Sequence, residues 1–310
     1  MTFTTSLKEE ISKNEINILE ARYELMAILN CIGKFDNNRI DITLENASIA
    51  RRIYKEIKQI YGVNPVITVR IQKRFKVKQI YILTIKEKVE FIRDDISLGT
   101  RIDLETLVTD EEKIAFIEGS FLAVGNISDP RTSQYHLEFI FSKERLAKQL
   151  LNLINSFNLN SKIVKRGYKT VVYIKASENI SDLIKMFKAT NSLFYFEDIR
   201  IYRDHKNMVN RLNNCEIANQ EKTFKAGQLQ LENIKYLRDR DLFDLLDEKT
   251  KIVAEAREKY PESSFQELAD IITQEVDYRI GKSGINHHFI KINELVKKDK
   301  EKKESGKNGS

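Results

Sequence analysis

The chain contains an internal repeat in which two helix-like segments share one pattern of small residues. Leu25–Gly33 superposes on Ile117–Gly125 at an offset of 92 residues. The coinciding small residues are Ala27 with Gly119, Cys31 with Ala123, and Gly33 with Gly125. Small residues four apart lie on one helix face, so two such helices can approach closely and cross. The repeat therefore predicts two related halves that share a seam of two helices, each ending at a glycine C-cap.

Matching elements follow each of these helices. A strand-like run comes next, residues 39–44 in the first copy and 135–141 in the second, and then a helix. Two alternating strand-like runs and a last helix complete each copy. A period of about 95 residues is too long for a solenoid repeat. The expected fold is α+β: a duplicated pseudo-dimer with two antiparallel sheets and their helices, in residues 1–108 and 109–205.

Positive charge is concentrated in three segments of the sequence. The whole chain has 52 Lys and Arg against 46 Asp and Glu, a net charge of +6. Residues 70–88 hold seven basic residues and one acid, residues 162–175 five basic residues and no acid, and residues 297–310 six lysines and three acids. The first two segments fall on pairs of strand-like runs. Each half is therefore predicted to carry a basic hairpin.

Basic hairpins suit a nucleic-acid backbone, because each Lys or Arg that neutralises a phosphate releases counterions. The residues predicted to contact phosphates are Arg70, Lys73, Arg74, Lys76 and Lys78 in the first hairpin, and Lys165, Arg166 and Lys169 in the second. Lysine-rich hairpins also protect strand edges from pairing with other chains. That structural alternative stays open for each hairpin.

Residues 261–296 have the pattern of a helix-turn-helix. Ser264 and Glu267 form a capping box that opens one helix, and Ser283 is the expected N-cap of a second. A recognition helix contacts base edges and phosphates from its first turns. The candidates there are Asn286, His287 and Lys291, which point outward, and Lys282 and Ser283, which are placed for phosphate contact. A helical hairpin without DNA remains the alternative, because the connection is long and the segment is net negative.

The remaining sequence indicates no other chemistry. It contains no phosphate-binding glycine loop, and its four histidines and two cysteines lack the spacing of a zinc site. No run approaches the roughly 18 apolar residues that span a bilayer, and the first ten residues are too charged for a signal peptide. A cytoplasmic, nucleoid-associated protein without cofactors is expected. Residues 206–259 are predicted to be a helical linker, 260–297 an all-α helix-turn-helix domain, and 298–310 a disordered lysine-rich tail.

The helix Ile117–Gly125 resembles the LAGLIDADG helix of homing endonucleases, two copies of which pack along a pseudo-twofold axis above DNA. In those nucleases the residue before the final glycine is an acid that holds a divalent metal ion. Ile32 and Val124 occupy these positions here, and neither side chain can bind a metal. The resemblance therefore implies a nuclease scaffold without catalytic or metal-binding residues.

A closer resemblance, covering about residues 3 to 297, is to the WhiA family of sporulation regulators. The blocks that carry it are residues 119–123, 128–130 and 135–139, then Val209–Glu216 with Ala218, Asn219, Lys222 and Thr223, and finally Gly281–His287. It implies a non-catalytic bacterial DNA-binding regulator of transcription. The processes it implies are sporulation in some lineages and cell division, the cell cycle and chromosome segregation in others.

His288 is also counted among the DNA-binding candidates of the second helix. The positions of His288 and Ile290 are usually basic in that family, a departure that implies weaker phosphate affinity in this chain, for which the lysine-rich tail could compensate. Double-stranded DNA is the expected partner, with other transcription factors or RNA polymerase as further candidates. The two duplicated halves already form a pseudo-dimer within one chain, so the protein is expected to be a monomer. Two alternatives stay open: a metal-dependent LAGLIDADG-type nuclease, and a protein-binding scaffold that has abandoned DNA.

Overall fold

The computed structural model describes residues 2–15, 17–36, 38–72, 78–97, 107–132, 134–276 and 279–307. The chain divides into two compact units, Met1–Asp204 and His205–Ser310. None of the described helices is long and apolar enough to cross a membrane.

The first half of unit 1 is a four-stranded antiparallel sheet with helices. Its elements are α1 (Phe3–Ile11), α2 (Ile18–Ile32), β1 (Gly33–Asp36), β2 (Arg39–Leu44), α3 (Ala47–Tyr61), β3 (Val66–Gln72), β4 (Lys78–Ile85) and α4 (Val89–Asp95). The strand order is β1-β2-β4-β3, so β3 lies at an edge.

The second half repeats this arrangement. Its elements are α5 (Asp110–Val124), β5 (Gly125–Ile127), β6 (Leu137–Phe141), α6 (Glu144–Asn155), β7 (Lys162–Arg166), β8 (Lys169–Ile174) and α7 (Ser177–Met186). The strand order β5-β6-β8-β7 matches that of the first sheet and again leaves the basic strand β7 at an edge. The predicted α+β duplication is confirmed.

Two short strands were absent from the sequence prediction. β1 and β5 begin at Gly33 and Gly125, directly after the seam helices, and neither glycine adopts the left-handed conformation of a common C-cap. Their φ and ψ angles are −68° and 133°, and −76° and 148°. The glycines are needed for space, because a Cβ at Gly125 would lie 2.7 Å from the carbonyl oxygen of Phe121. The chain therefore turns from helix into strand without a loop.

The seam between the halves is the packing of α2 against α5. A Cβ at Gly119 would lie 3.0 Å from the carbonyl carbon of Glu24, and closer still to its oxygen. The backbones can therefore approach this closely only if residue 119 has no side chain. One continuous core fills both halves, with Leu25, Ile28 and Phe121 among its fully buried members.

A buried arginine connects the seam helices to α3. Arg52 on α3 donates two hydrogen bonds to the carboxylate of Glu24 on α2, at 2.6 and 2.7 Å. Its guanidinium also lies 3.1 Å from Glu56 and 3.3 Å from Glu118 on α5. Three carboxyl groups therefore share one cation. Burial, followed by the charge of Glu24, raises the pKa of both Glu56 and Glu118 well above the usual value.

Unit 2 is helical. Its elements are the C-terminal part of α8 (Thr190–Arg238), a 3-10 turn (Phe243–Leu245), α9 (Glu248–Lys259), α10 (Phe265–Glu275) and α11 (Lys282–Lys307). One core joins them, and its buried members include Ile234, Leu237, Val253, Leu268, Ile272, Ile285, Phe289, Ile292 and Val296. Residues 234–254, which fall within the predicted linker, thus contribute to the same core as the two C-terminal helices.

Two details of α11 differ from the sequence prediction. Helix α11 begins at Lys282, and the amide of Ile285 donates to the carbonyl of Gly281 at 3.1 Å, so Ser283 lies inside the first turn and is not the N-cap. The lysine-rich segment, predicted to be disordered, is helical as far as Lys307. Lys and Glu are good helix formers. In addition, the hydroxyl of Tyr236 on α8 donates to Asp299 at 2.9 Å, which fastens this part of α11 to the unit.

Candidate nucleic-acid interface

The helix pair α10–α11 presents one face of α11 to solvent. The Ser264 hydroxyl accepts from the Glu267 amide at 3.2 Å, and the Glu267 carboxylate accepts from the Ser264 amide at 2.6 Å, so the predicted capping box is present. Ile285 and Ile292 turn the opposite face of α11 into the core. The first turns of α11 are therefore held rigidly while their outer face stays open.

Four of the predicted contact residues lie on that outer face. They are Lys282, Ser283, Asn286 and His287, and all four are exposed. Counted from Lys282, the other three follow after one, four and five residues, so the four side chains occupy two successive turns. Ile290, one turn further along, is 46% exposed. Sequence reasoning did not count Ile290 as a contact, although an exposed apolar residue on a recognition helix can contact a thymine methyl group. Together these residues form what we call the α11 face.

Lys291 lies at the margin of the α11 face and is held by the protein itself. Its ammonium group lies 3.1 Å from the carboxylate of Asp247, the N-cap of α9. The amide of Thr250 also donates to Asp247, at 2.8 Å. Hydrogen bonds from Thr250 and then the ammonium of Lys291 lower the pKa of Asp247 to about 2, although partial burial opposes this. Lys291 must therefore exchange one anionic partner for another to reach a phosphate.

His288 does not lie on the α11 face, contrary to the prediction. Its side chain is buried, with 6% exposure, and Nδ1 lies 2.7 Å from the hydroxyl oxygen of Thr250 on α9. The residue falls three positions after Ile285 and four before Ile292, and so shares their buried side of the helix. Burial lowers the pKa of the His288 imidazole, which favours its neutral form. His288 is therefore a core residue that joins α11 to α9.

The second basic hairpin lies along the edge of the second sheet. Lys165 lies 3.2 Å from Glu144 on α6, and Arg166 lies 3.1 Å from Glu138 on β6. Lys169 is exposed beside the ring of Tyr168. In the first hairpin Arg70 is exposed on the edge strand β3, and β4 begins at Lys78. Lys73, Arg74 and Lys76, together with the side chain of Lys78, lie outside the described residues.

A groove of about 550 Å³ lies on the outer face of the second sheet, large enough to admit polar backbone groups of a ligand. Its lining residues are Ser128, Thr132, Gln134, His136, Val164, Arg166, Tyr173 and Lys175. Two of these lining residues contact the carboxylate of Glu138. It lies 3.1 Å from Nε2 of His136 and 3.1 Å from the guanidinium of Arg166. Burial opposes its ionisation, but the hydrogen bond from His136 and other polar neighbours lower the pKa of Glu138. The lining of the groove is thus basic, through Arg166 and Lys175, and the carboxylate of Glu138 lies behind it, paired with Arg166 and His136.

The equivalent position in the first sheet is also acidic. In the first sheet β2 pairs with β4, which places Asp41 opposite Thr84. In the second sheet β6 pairs with β8, which places Glu138 opposite Tyr173. The Thr84 hydroxyl donates to Asp41 at 2.6 Å. Counting charges along the chain missed both acids, because each lies on a strand remote in sequence from the basic hairpin that it faces.

The ends of the seam helices carry no acid. Ile32 and Val124 are the last residues of α2 and α5. Across the described residues, no group of three or more His, Cys, Asp or Glu side chains is arranged to hold a metal ion. At the seam itself, burial raises the pKa of the Cys31 thiol to about 12, which keeps it protonated at neutral pH.

Two LAGLIDADG-like halves followed by a helical helix-turn-helix region define the class of this protein. Residues 19–98 match the WhiA N-terminal LAGLIDADG-like domain, residues 113–206 the WhiA LAGLIDADG-like domain, and residues 209–296 the WhiA C-terminal HTH domain. Proteins from Bacillus cytotoxicus and Bacillus mycoides, each named "Probable cell division protein WhiA", are 37% identical over 309 residues, covering 96% of this chain and 97% of theirs. The chain belongs to the WhiA family.

Solved structures show the same fold. The full-length DUF199/WhiA crystal structure from Thermatoga maritima aligns with 96% of this chain and 99% of that one, with a TM-score of 0.57 and 21% identity. The N-terminal LAGLIDADG domain of DUF199/WhiA aligns with 60% of this chain and 90% of that one, with a TM-score of 0.50 and 21% identity. The predicted family and fold class are thereby confirmed.

Proposed function

We propose that this chain is a non-catalytic DNA-binding regulator of transcription that acts in bacterial cell division. The single observation that carries the proposal is the α11 face, on which Lys282, Ser283, Asn286 and His287 project from two successive turns at the start of a rigidly packed helix. Its relatives are named as cell division proteins. Roles in chromosome segregation and, in sporulating lineages, in sporulation belong to the same proposal, as do RNA polymerase and other transcription factors as protein partners.

The α11 face offers the groups that major-groove reading requires. The amide of Asn286 can both donate to and accept from an adenine edge, which is a bidentate contact. Lys282 and Ser283 lie at the N-terminus of α11, where unpaired amides and the helix dipole favour a phosphate. Ile290 supplies the apolar contact beside them. The face therefore combines positioning contacts with base-reading contacts.

The basic edges of unit 1 supply electrostatic attraction in this proposal. Lys162, Lys165, Arg166, Lys169 and Lys175 are exposed on the second sheet. Each phosphate neutralised adds about 0.9 to the slope of log affinity against log salt concentration. Replacing Lys162, Lys169 and Lys175 by Gln is therefore expected to reduce the slope of the full chain by about two to three. An unchanged slope would favour the alternative in which the LAGLIDADG-like domain binds protein and not DNA.

Cleavage of DNA is not part of the proposed function. A nuclease of this scaffold needs an acid where Ile32 and Val124 stand, and an isoleucine or valine offers no oxygen to a hard cation. We expect supercoiled DNA to stay intact with Mg²⁺ or Mn²⁺ present. Nicking that EDTA abolishes, and that survives repurification of the protein, would overturn this part of the proposal in favour of the nuclease alternative.

The proposed regulatory role is tested by a genome-wide map of bound DNA. Wild-type protein and a Lys282→Ala, Asn286→Ala double variant are compared in the same cells, with Lys298→Ala as a control on a later, exposed turn of α11. We expect discrete peaks upstream of division genes for the wild type and the control, and their loss in the double variant. Identical maps for all three proteins would contradict assignment of DNA reading to the α11 face.

A further inference from the structure

One segment of α8 is exposed on every side. From His205 to Lys222 all 18 residues are exposed, so no other described part of unit 2 covers any face of this stretch. At 1.5 Å per residue the segment is about 26 Å long. Isolated helices of this length are marginal in water, since most helical stability in proteins comes from packing an apolar face. A partner for this segment would supply that missing packing.

The exposed segment carries an apolar stripe with coiled-coil spacing. Met208, Leu212 and Cys215 are separated by four and three residues, and Met208 and Leu212 are 61% and 57% exposed. The same alternation continues through Asn219 and Lys222 to Ala226 and Leu229. Apolar residues at these two heptad positions form the contact line between paired helices, and a single Asn on that line is a common device that specifies pairing.

The face that α8 uses inside unit 2 is a different one. Gly227, Ile234 and Leu237 are buried, and a Cβ at Gly227 would lie 2.8 Å from the carbonyl oxygen of Pro261. None of these residues belongs to the series from Met208 to Leu229, in which successive members are alternately four and three residues apart. The apolar stripe is therefore additional to the packing that holds unit 2 together.

Charges beside the stripe are complementary to those of an identical helix. Arg211 directly precedes Leu212, and Glu216 directly follows Cys215. Arg211 and Glu216 are therefore five residues apart and lie on the two sides of the contact line. In a parallel, in-register pair, such positions on opposite helices face each other and form ion pairs. Among the described residues neither Arg211 nor Glu216 has an ion-pair partner of its own. An antiparallel pair would place these side chains beside different neighbours.

We propose that residues 205–229 of α8 pair with the same segment of a second copy of this chain, in parallel and in register. Met208, Leu212 and Cys215 form the centre of the contact, Asn219 aligns the two helices, and Arg211 of each copy meets Glu216 of the other. The internal duplication, from which a monomer is expected, concerns the LAGLIDADG-like halves alone. A C2 pair through α8 brings two α11 faces into one complex, which suits two DNA half-sites.

The test is a charge-swap series on the full chain, read out by sedimentation velocity across protein concentrations. The proposed dimer contains two Arg211–Glu216 pairs. Either Arg211→Glu or Glu216→Arg turns both of them into pairs of like charge, and we expect each variant to weaken dimerisation about tenfold. The double variant restores both pairs in a parallel dimer, and we expect it to recover wild-type association. Rescue by the double variant separates loss of pairing from loss of folding.

A pair of matched apolar variants and a cross-link complete the experiment. Leu212→Glu should give a monomer, whereas Ile217→Glu, at a similarly exposed position (55%) off the stripe, should not. Diamide, which removes two electrons and two protons from a pair of thiols, should join Cys215 to Cys215 of the second copy, and Cys215→Ser should abolish that product. A wild-type monomer at all concentrations, or a dimer that neither shows the Cys215 cross-link nor is rescued by the double charge swap, overturns the proposal.

Discussion

The buried cluster around Arg52 makes the stability of unit 1 depend on pH in a specific direction. Three carboxyl groups surround one guanidinium, so complete ionisation would leave two uncompensated negative charges at the seam. Burial and the neighbouring Glu24 raise the pKa of Glu56 and Glu118. These two groups therefore bind protons in the folded state at pH values where the unfolded chain, with an ordinary Glu pKa of about 4.3, has lost them.

The sign and size of the effect follow from this proton difference. Because the folded state binds more protons, the free energy of unfolding falls as the pH rises above about 4.3, until the folded pKa values are passed. Each such group contributes about 1.4 kcal/mol per pH unit within that window. Glu56→Gln keeps the shape and removes one titrating group. It should reduce the pH dependence by about 1.4 kcal/mol per unit and make unit 1 more stable than wild type at the upper end of the window.

Hydrogen exchange of the α2 and α5 amides measures this free energy locally, which matters because two units need not unfold together. Exchange is followed by mass spectrometry at pH 5.5, 6.5 and 7.5 after correction for intrinsic rates. Glu144→Gln on α6 is the control, since that carboxylate is exposed and paired with Lys148 and Lys165. An identical pH dependence in wild type and Glu56→Gln would refute the assignment of a bound proton to Glu56.

Three further predictions concern the seam, the core of unit 2 and the sheet groove. Gly119→Val should destabilise unit 1 by about 2 kcal/mol or more, because its side chain would overlap the α2 backbone; thermal unfolding by circular dichroism checks this. Since the pKa of His288 is lowered, unit 2 should lose stability as the pH falls below about 6.5, and His288→Gln should remove that loss in exchange measurements on α11. Glu138→Gln should tighten DNA binding about threefold to tenfold in fluorescence anisotropy, because it removes the anion that pairs with Arg166, a lining residue of the groove; weaker binding would indicate that Glu138 itself contacts a base.

Most of the fold could be predicted from the repeat and from periodicity. The coinciding small residues of Leu25–Gly33 and Ile117–Gly125 predicted the close pair α2 and α5, and a Cβ at Gly119 would indeed overlap the partner backbone. The short strands β1 and β5 could not be foreseen, since runs of four and three residues, each beginning at a glycine, carry too little periodicity to identify a strand. The four-stranded sheets therefore emerged only from the structure.

The site was predictable in outline but not in every residue. Helical spacing placed Asn286 and His287 on the face that the structure shows to be exposed. His288 was counted with them, although the same spacing puts it on the buried stripe with Ile285 and Ile292. Residues distant in sequence account for the other differences. Asp247 holds Lys291 because α9 packs against α11, and Glu138 on β6 pairs with Arg166 on β7 because both strands flank β8 in the sheet.

The central claim is that the α11 face reads DNA sequence, and the ratio of specific to non-specific affinity tests it most directly. The full chain is titrated at one fixed salt concentration against a bound genomic fragment and against a scrambled fragment of equal length and composition. Asn286→Ala should reduce the ratio by about tenfold to a hundredfold, the value of a lost bidentate base contact, and leave binding to the scrambled fragment unchanged. A ratio unaltered by Asn286→Ala, or an equal loss on both fragments, would contradict the claim.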